Sequence, residues 1–402
     1  MDHVVVVGAG QAGAALVAKL RVLGFAGWIT LFGAEPVPPY QRPPLSKAYL
    51  LGEMPEERLY LRPASFYAEH GITLRLGTPV DAIDSGARTL IAGGETVSWD
   101  ALALTTGALP RRLPASLGGA LPGVHEVRTL RDVDGMRLAF EPGRRALVIG
   151  GGYIGLEAAA VAAKLGLRVT LVEAAPRILQ RVAARETSDY FRALHHAHGV
   201  EIIEGVSLDR LLGTDWVTGA LLADGREIAA DLVLVGIGIV PDTRLAEVAG
   251  LAVEDGVAVD PLGQTSAPGI WAAGDCASFH HQGRRLRLES VGNAIDMGEA
   301  VAANILGAGV AYVPKPWFWS DQYDVKLQIA GLGTGYDRVV VRPGARHGSV
   351  SHWYFRGSQL LAVDAMNDPR SYMVGKRLIE AGVSPDPALL ADERADLKAL
   401  VA

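Results

Sequence analysis

One pattern, occurring twice, constrains this chain more than any other: a run of β-branched residues breaks into a glycine-rich turn that opens an alanine-rich helix. The first copy reads Val4-Val5-Val6-Val7-Gly8-Ala9-Gly10-Gln11-Ala12-Gly13 and the second Leu147-Val148-Ile149-Gly150-Gly151-Gly152-Tyr153-Ile154-Gly155. In a G-x-G-x-x-G turn the first glycine makes the tight bend and the second lets backbone N–H groups approach a pyrophosphate. The third brings helix and strand close together. The helix N-terminus then faces the phosphates with its unsatisfied amides. Helix-period stretches follow, Ala14 to Leu23 and Leu156 to Leu165. Each copy continues into a second strand ending in an acid, Trp28-Ile29-Thr30-Leu31-Phe32-Gly33-Ala34-Glu35 and Arg168-Val169-Thr170-Leu171-Val172-Glu173. One such turn can be a packing device alone. Two, each with an acid roughly 20 to 30 residues on, predict two dinucleotide sites.

With 402 residues, 49% hydrophobic and 20% charged, the chain can bury two or three domain-sized cores. The net charge of -6 argues against a nucleic-acid partner. A single cysteine, Cys276, excludes a disulfide framework and a redox-active dithiol alike. Met1-Asp2-His3 leads straight into a strand without a signal-peptide pattern, and no uncharged apolar stretch reaches about 18 residues, so a cytoplasmic protein with no membrane partner is expected. His195, His196 and His198 sit on a charged helix, and His280-His281 in a loop; both groups read as solvated surface, and no metal site is predicted.

Along the chain, the first βαβ pattern is followed by the proline crossing Pro36 to Pro44, with a helix expected from about Leu45. The segments Ile72 to Leu76, Thr89 to Ala92 and Trp99 to Thr105 read as strands. The second βαβ array runs to Gly238, after which Gly256 to Asp260 and Gly269 to Asp275 return to a sheet, followed by a helix from Asn293 to Ile305. The second array thus interrupts a discontinuous first domain. Beyond Pro314-Lys315-Pro316 the pattern alternates as in an antiparallel sheet (Val325 to Gly331, Arg338 to Val341, Ser349 to Phe355, Leu360 to Val363) and closes with a helix. The expected domains are 1–110 with 240–313, then 111–239, then 314–402.

These residues resemble the two-dinucleotide flavoproteins that include glutathione reductase. Within that superfamily they are most similar to ferredoxin reductases of the putidaredoxin reductase type, which serve bacterial CYP monooxygenases and aromatic-ring dioxygenases. The marks span the chain: Arg42-Pro43-Pro44-Leu45-Ser46-Lys47-Ala48-Tyr49-Leu50, Thr105-Thr106-Gly107, Gly150 to Glu157, Gly274-Asp275-Cys276-Ala277, Glu289-Ser290-Val291 and Trp317-Phe318-Trp319-Ser320-Asp321-Gln322. The resemblance implies an α/β fold of two Rossmann-like dinucleotide-binding domains plus a C-terminal α+β domain covering a flavin. FAD would occupy the N-terminal motif and NADH the inserted one.

Residue by residue, the resemblance implies that Gly8, Gly10, Ala12 and Gly13 contact the FAD pyrophosphate, with Thr106 and Gly107 in the same set. Asp275 would bond the ribityl or phosphate region; it also reads as a cap for the turn that follows it. Arg42 and Arg128 match positions near the diphosphate and adenosine, or are solvated charges, while Val80 and Val291 match backbone contacts. Glu35 lies one position beyond the acid of many relatives, still within reach of a ribose. Lys47 and Glu157 match residues facing the flavin ring, where a lysine stabilises the reduced anion and a carboxylate pairs with it. Alternatively Glu157 is a first-turn acid favoured by the helix dipole, and Lys47 a solvated lysine. Trp319 would lie against the flavin, or fill a core. On the NADH side stand Gly150, Gly152, Tyr153, Ile154, Gly155 and Glu157. Glu173 would accept the ribose hydroxyls and repel a 2′-phosphate, with no arginine before Arg177. Gly236 and Gly238 would close over the pyrophosphate, and Glu289 matches a position near the carboxamide.

The implied activity is that of an NADH:ferredoxin oxidoreductase, passing a hydride to FAD and then single electrons to a [2Fe-2S] ferredoxin that supplies a CYP monooxygenase or ring-hydroxylating dioxygenase. An acidic ferredoxin calls for a basic patch, with Arg284, Arg285, Arg287, Lys315, Arg62 and Lys326 as candidates. Within the same fold a rubredoxin reductase, an NADH oxidase or the flavin unit of a nitrite reductase stays open, although an oxidase would want a reactive cysteine at the flavin. A flavoprotein resembling apoptosis-inducing factor would want a basic surface and a presequence. Oligomeric state is open, a monomer included.

Overall fold

The computed structural model describes residues 1–401. His3–Val7 is apolar toward both sides, which suits the middle of a parallel sheet with both faces covered. It occupies the centre of a five-stranded parallel sheet ordered 270–272, 101–104, 3–7, 28–32, 72–75. Arg145–Ile149 holds the same place in a second parallel sheet, ordered 124–125, 232–235, 145–149, 168–173, 201–204. Strand order reverses at the glycine turn in both, the switch point where such sheets bind ligands. Each array also carries a three-stranded antiparallel meander at the same point of its chain, 80–98 in the first and 208–229 in the second. The repeat in the sequence is therefore a repeat of the whole array.

The chain packs as two compact units: residues 1–42, 55–109 and 239–316 form one, and 43–54, 110–238 and 317–402 the other. In the first unit, Val4 to Val7, Leu16, Leu20, Leu102, Ile270 and Val301 share one core, and the helix Gln11–Val22 lies against Val291–Ile305. Gly298 permits that approach, since a Cβ there would lie 2.7 Å from the Ala12 carbonyl oxygen. The second unit holds the second parallel sheet together with a five-stranded antiparallel sheet ordered 317–322, 325–331, 359–366, 350–356, 338–343, against which the helix Pro369–Ala381 packs. Among the described residues no helix is long and apolar enough to cross a membrane.

Three local expectations change. In place of a helix from Leu45 there is one 3-10 turn, Pro43–Ser46, followed by hydrogen-bonded turns. The Lys47 ammonium reaches the Pro43 carbonyl, at 3.2 Å, and competes for the acceptor a helix would use. Trp317–Gln322 is an additional strand starting directly after Pro316. His280 and His281 end a strand that pairs with Arg284–Leu286 in a hairpin.

A buried polar network lies within the second unit. The Asp364 carboxylate, 2% exposed, accepts from the Tyr354 hydroxyl and from Thr187 Oγ1 at 2.7 Å, and Thr187 in turn meets His352 Nδ1 at 2.8 Å. Burial pushes the Asp364 carboxyl up to about 6. An unfolded aspartate titrates near 4. The cost of ionising Asp364 in the folded state is therefore absent below about pH 4, grows between about 4 and 6, and is complete above that. Asp364→Asn keeps an acceptor for both hydroxyls. It is expected to exceed the wild type by about 2 kcal/mol at pH 8, with the difference shrinking to near zero by about pH 4 in thermal melts; a pH-independent difference would contradict this.

Candidate functional site

The two glycine turns are superimposable in their constraints. Gly8 and Gly150 take φ of 115° and 107°, a left-handed region open to glycine. A Cβ on Gly8 would stand 2.2 Å from the Thr105 carbonyl oxygen, and one on Gly150 2.4 Å from that of Gly236. At the third positions, a Cβ on Gly13 or Gly155 would fall 2.1 and 2.0 Å from the carbonyl oxygens of Gly8 and Gly150. The middle glycines differ: a Cβ on Gly10 or Gly152 would meet nothing within 4 Å. Neither helix has a side-chain cap or a first-turn acid. The first and third glycines thus serve packing, while the second opens each helix N-terminus to an approaching group. This is a cradle that fits a pyrophosphate.

In the first unit, Thr105 Oγ1 bonds the carbonyls of Val7 and Gly8, fastening the turn to the neighbouring strand. Thr106 Oγ1 donates to the Asp242 carbonyl at 2.7 Å, and the Asp242 amide returns a bond to Gly107. Asp275 follows Gly274, where a Cβ would lie 2.9 Å from that of Ala12, so this turn sits directly on the first glycine-loop helix. Val291 opens a helix capped by Ser290, whose Oγ accepts from the Asn293 amide. The Val80 carbonyl accepts from Arg244.

Strand register locates the two acids. Val7 pairs with Phe32 and Ile149 with Val172, so the residues that follow, Gly33 and Glu173, are equivalent. Glu35 lies two positions further and joins Arg42 at 2.7 Å and the Tyr40 hydroxyl at 2.7 Å. Glu173 Oε2 accepts from the Gly151 amide and Oε1 from the Ala175 amide, both at 2.7 Å. Arg177, the nearest arginine in sequence, is spent on the carbonyls of Ala183 and Ala184 and on Ser188 Oγ.

The second unit gathers Lys47, Glu157 and the C-terminal strand. Glu157, 1% exposed on the helix Tyr153–Lys164, accepts from Lys47 Nζ at 2.6 Å and Ser46 Oγ at 2.7 Å on Oε2, and from Ser320 Oγ at 2.6 Å on Oε1. Among the described residues three donors and no acceptor surround it, the setting of a carboxylate. Lys47 is 16% exposed, so neither residue is a solvated surface charge. Phe318, Ser320 and Gln322 share one strand face: Phe318 packs on the Tyr153 ring at 4.9 Å, and Ser320 and Gln322 are buried. Trp319 projects oppositely, stacked on Trp317 at 5.5 Å and half-buried, not a core tryptophan. Arg128 precedes the Thr129–Asp132 capping box and is half-buried. Ile154 is exposed, and Gly236 and Gly238 flank an exposed Ile237.

Lys47, Arg128 and Trp319, expected on the FAD side, thus belong to the second unit, and Glu289, expected on the NADH side, to the first. Glu289 pairs with Arg287 at 2.6 Å. Two members of the basic cluster are internally paired. Arg287 is 9% exposed and also near Asp255, and Arg285 pairs with Glu254 and bonds the Ser278 carbonyl, whereas Arg284, Arg62, Lys315 and Lys326 are exposed. His195 is not solvated: it is fully buried and bonds Gln322 Oε1 at 2.8 Å. Its place on one helix face with Thr187 and Phe191, at four-residue spacing, was the available signal. Ser46 and Ser320 were also unassigned, although Ser320 and Gln322 alternate with Phe318 on one face of their strand. Cys276 is fully buried, and burial raises its thiol pKa, so it is no thiolate nucleophile.

Comparison with known proteins gives a consistent result. Residues 2–298 match the sequence profile of pyridine nucleotide-disulphide oxidoreductases, and residues 317–401 that of a reductase C-terminal domain. A ferredoxin–NAD(P)(+) reductase of Sphingomonas sp is 44% identical over 392 residues, covering 96% of this chain and 94% of that protein. Putidaredoxin reductase of Pseudomonas putida is 42% identical over 409 residues, covering 100% and 97%. Among solved structures, the reductase in the covalent putidaredoxin reductase–putidaredoxin complex aligns with a TM-score of 0.95 at 41% identity, over 100% of this chain and 98% of that chain.

The glycine geometry separates two classes of substitution. Gly13→Ala and Gly155→Ala are expected to cost about 1–3 kcal/mol in denaturant unfolding, since a Cβ meets backbone. Gly10→Ala and Gly152→Ala, at N-caps where glycine outranks alanine, should cost less, about 0.5 kcal/mol. Equal destabilisation of all four would refute the division of roles.

Proposed function

The chain belongs to the pyridine nucleotide-disulphide oxidoreductase family, and from that premise we infer that it is an FAD-containing, NADH-dependent ferredoxin reductase. The observation that carries this reading is the duplicated cradle, one per unit, in a chain whose only cysteine is buried. Bound FAD supplies the chemistry of accepting a hydride at N5 and releasing the two electrons singly. With no second thiol, no dithiol can stand between flavin and acceptor, which favours direct transfer to a [2Fe-2S] ferredoxin.

The first cradle, Gly8, Gly10, Ala12 and Gly13, is assigned to the FAD pyrophosphate, with Glu35, Arg42, Val80, Thr106, Gly107, Asp275 and Val291 in the same unit. Arg128 and Trp319 are assigned to the flavin side from the second. The second cradle, Gly150, Gly152, Tyr153, Ile154 and Gly155 with Gly236 and Gly238, is assigned to NADH, and Glu289 to its carboxamide. The corresponding domains are 1–110 with 240–313 for FAD, 111–239 for NADH, and 314–402 as the cover. Lys47 would hold a positive charge for the reduced flavin, and Glu157 keeps that ammonium oriented. Glu173 is fixed by two backbone amides and retains lone pairs for two ribose hydroxyls. A 2′-phosphate would meet its charge, and Arg177 is engaged elsewhere, so NADH is favoured over NADPH.

The proposal extends to a CYP monooxygenase or ring-hydroxylating dioxygenase as the final consumer, to a monomeric reductase and to a cytoplasmic setting. Anaerobic stopped-flow reduction by NADH, followed by mixing with a [2Fe-2S] ferredoxin or a rubredoxin, tests the central reading. Bleaching by NADH and faster reoxidation by the ferredoxin are expected; no bleaching, or preference for the rubredoxin, would overturn it. Glu173→Ala should raise the apparent KM for NADH by about tenfold and narrow the preference over NADPH. Unchanged coenzyme selectivity would remove Glu173 from the site.

A further inference from the structure

His195 has no part in the scheme above, yet it is fully buried and bonded through both ring nitrogens. Proton counting fixes its tautomer. Ser320 has one hydroxyl proton, and at 2.6 Å gives it to Glu157 Oε1, which has no other donor among the described residues. Ser320 Oγ must then accept from Gln322 Nε2, at 3.2 Å. That turns the Gln322 carbonyl oxygen to His195 Nε2, at 2.8 Å. A carbonyl only accepts, so Nε2 carries the proton. Nδ1 is then the lone-pair nitrogen and accepts from the Tyr323 hydroxyl, at 3.2 Å. The Tyr323 ring stacks on exposed His198 with centroids 3.6 Å apart. Four protons in series, from Tyr323, His195, Gln322 and Ser320, point the same way and end on one carboxylate oxygen.

We propose that His195 is a positioning residue for Glu157: its Nε2–H tautomer, acting through Gln322 and Ser320, directs the Ser320 proton onto the carboxylate that holds Lys47. The Nδ1–H tautomer would reverse the series. The Gln322 nitrogen would face His195, its oxygen would take the Ser320 proton, and Glu157 Oε1 would lose its donor. Burial, with His198 and His196 adding to it, holds the imidazole down to about 4, so the ring is neutral and can occupy a single tautomer. Lys47 and Ser46 share the other oxygen, Oε2, and cannot replace Ser320 without moving. The proposal rests on the reading that Lys47 and Glu157 face the flavin.

The test uses the FAD-loaded protein. Long-range ¹H–¹⁵N correlation of the histidine rings, with His195 assigned by the signal lost in His195→Gln, should show the Nε2–H tautomer; the Nδ1–H form would overturn the proposal. His195→Leu should slow anaerobic flavin reduction by NADH about fivefold with the Kd for NADH unchanged, the order of coupling expected between bonded neighbours. His195→Gln, which can place an N–H where Nε2 stood, should recover to within about twofold. In a Glu157→Gln background, His195→Leu should have no further effect. Additive losses would mean that His195 acts elsewhere, and would overturn the proposal while leaving the flavin-facing role of Glu157 intact. A Glu157→Gln variant reduced at the wild-type rate would instead remove that role, and the proposal with it. Should His195→Leu fail to fold, the wild-type tautomer and the His195→Gln rate decide.

Discussion

A carboxylate with 1% of its side chain exposed is tolerable only if its partners arrive together, and much of the second unit is arranged around that requirement. Glu157 comes from the glycine-loop helix, Ser46 and Lys47 from the segment 43–54, and Ser320 from the C-terminal strand. Three distant stretches of sequence are thereby held to one point. The 3-10 turn at Pro43–Ser46 is part of the arrangement, because it sets two donors side by side where a regular helix would spread them around its axis. The alternation of the strand does the rest: Ser320 and Gln322 point inward with Phe318, and Trp319 is left on the opposite face.

The fold was legible where residue type alone carries the instruction. Gly8, Gly13, Gly150 and Gly155 are glycines because backbone occupies the space of a Cβ, and a reader of the sequence needs no tertiary knowledge to apply that rule. The apolar strands and the Glu173 terminus followed in the same way. Partnership across the chain was not legible. His195 and Gln322 are 127 residues apart, and nothing local to the helix Arg185–Ala197 announces a buried acceptor. Arg285 and Arg287 read as surface charge until Glu254, Asp255 and Glu289 are found beside them. The Leu45 helix failed because the Lys47 side chain took the acceptor that the backbone would have used.

The two arrays also show how a single register position separates otherwise matching sites. Gly33 and Glu173 are equivalent, and they do opposite things. A Cβ on Gly33 would lie 2.8 Å from that of Ala9, so glycine there lets the first loop close against its strand; Glu173 instead reaches across to the second loop's amide. The acid of the first array moves outward and finds Arg42 and Tyr40.

The close approaches that demand the first and third glycines are made to backbone oxygens in both copies, whereas those that would tell one nucleotide from another are side chains and differ freely. Stability and selectivity are thus written in separate alphabets. A duplicated array of this kind can exchange one ligand for another by altering a few residues beyond the strand end, while the close approaches that make it fold stay untouched.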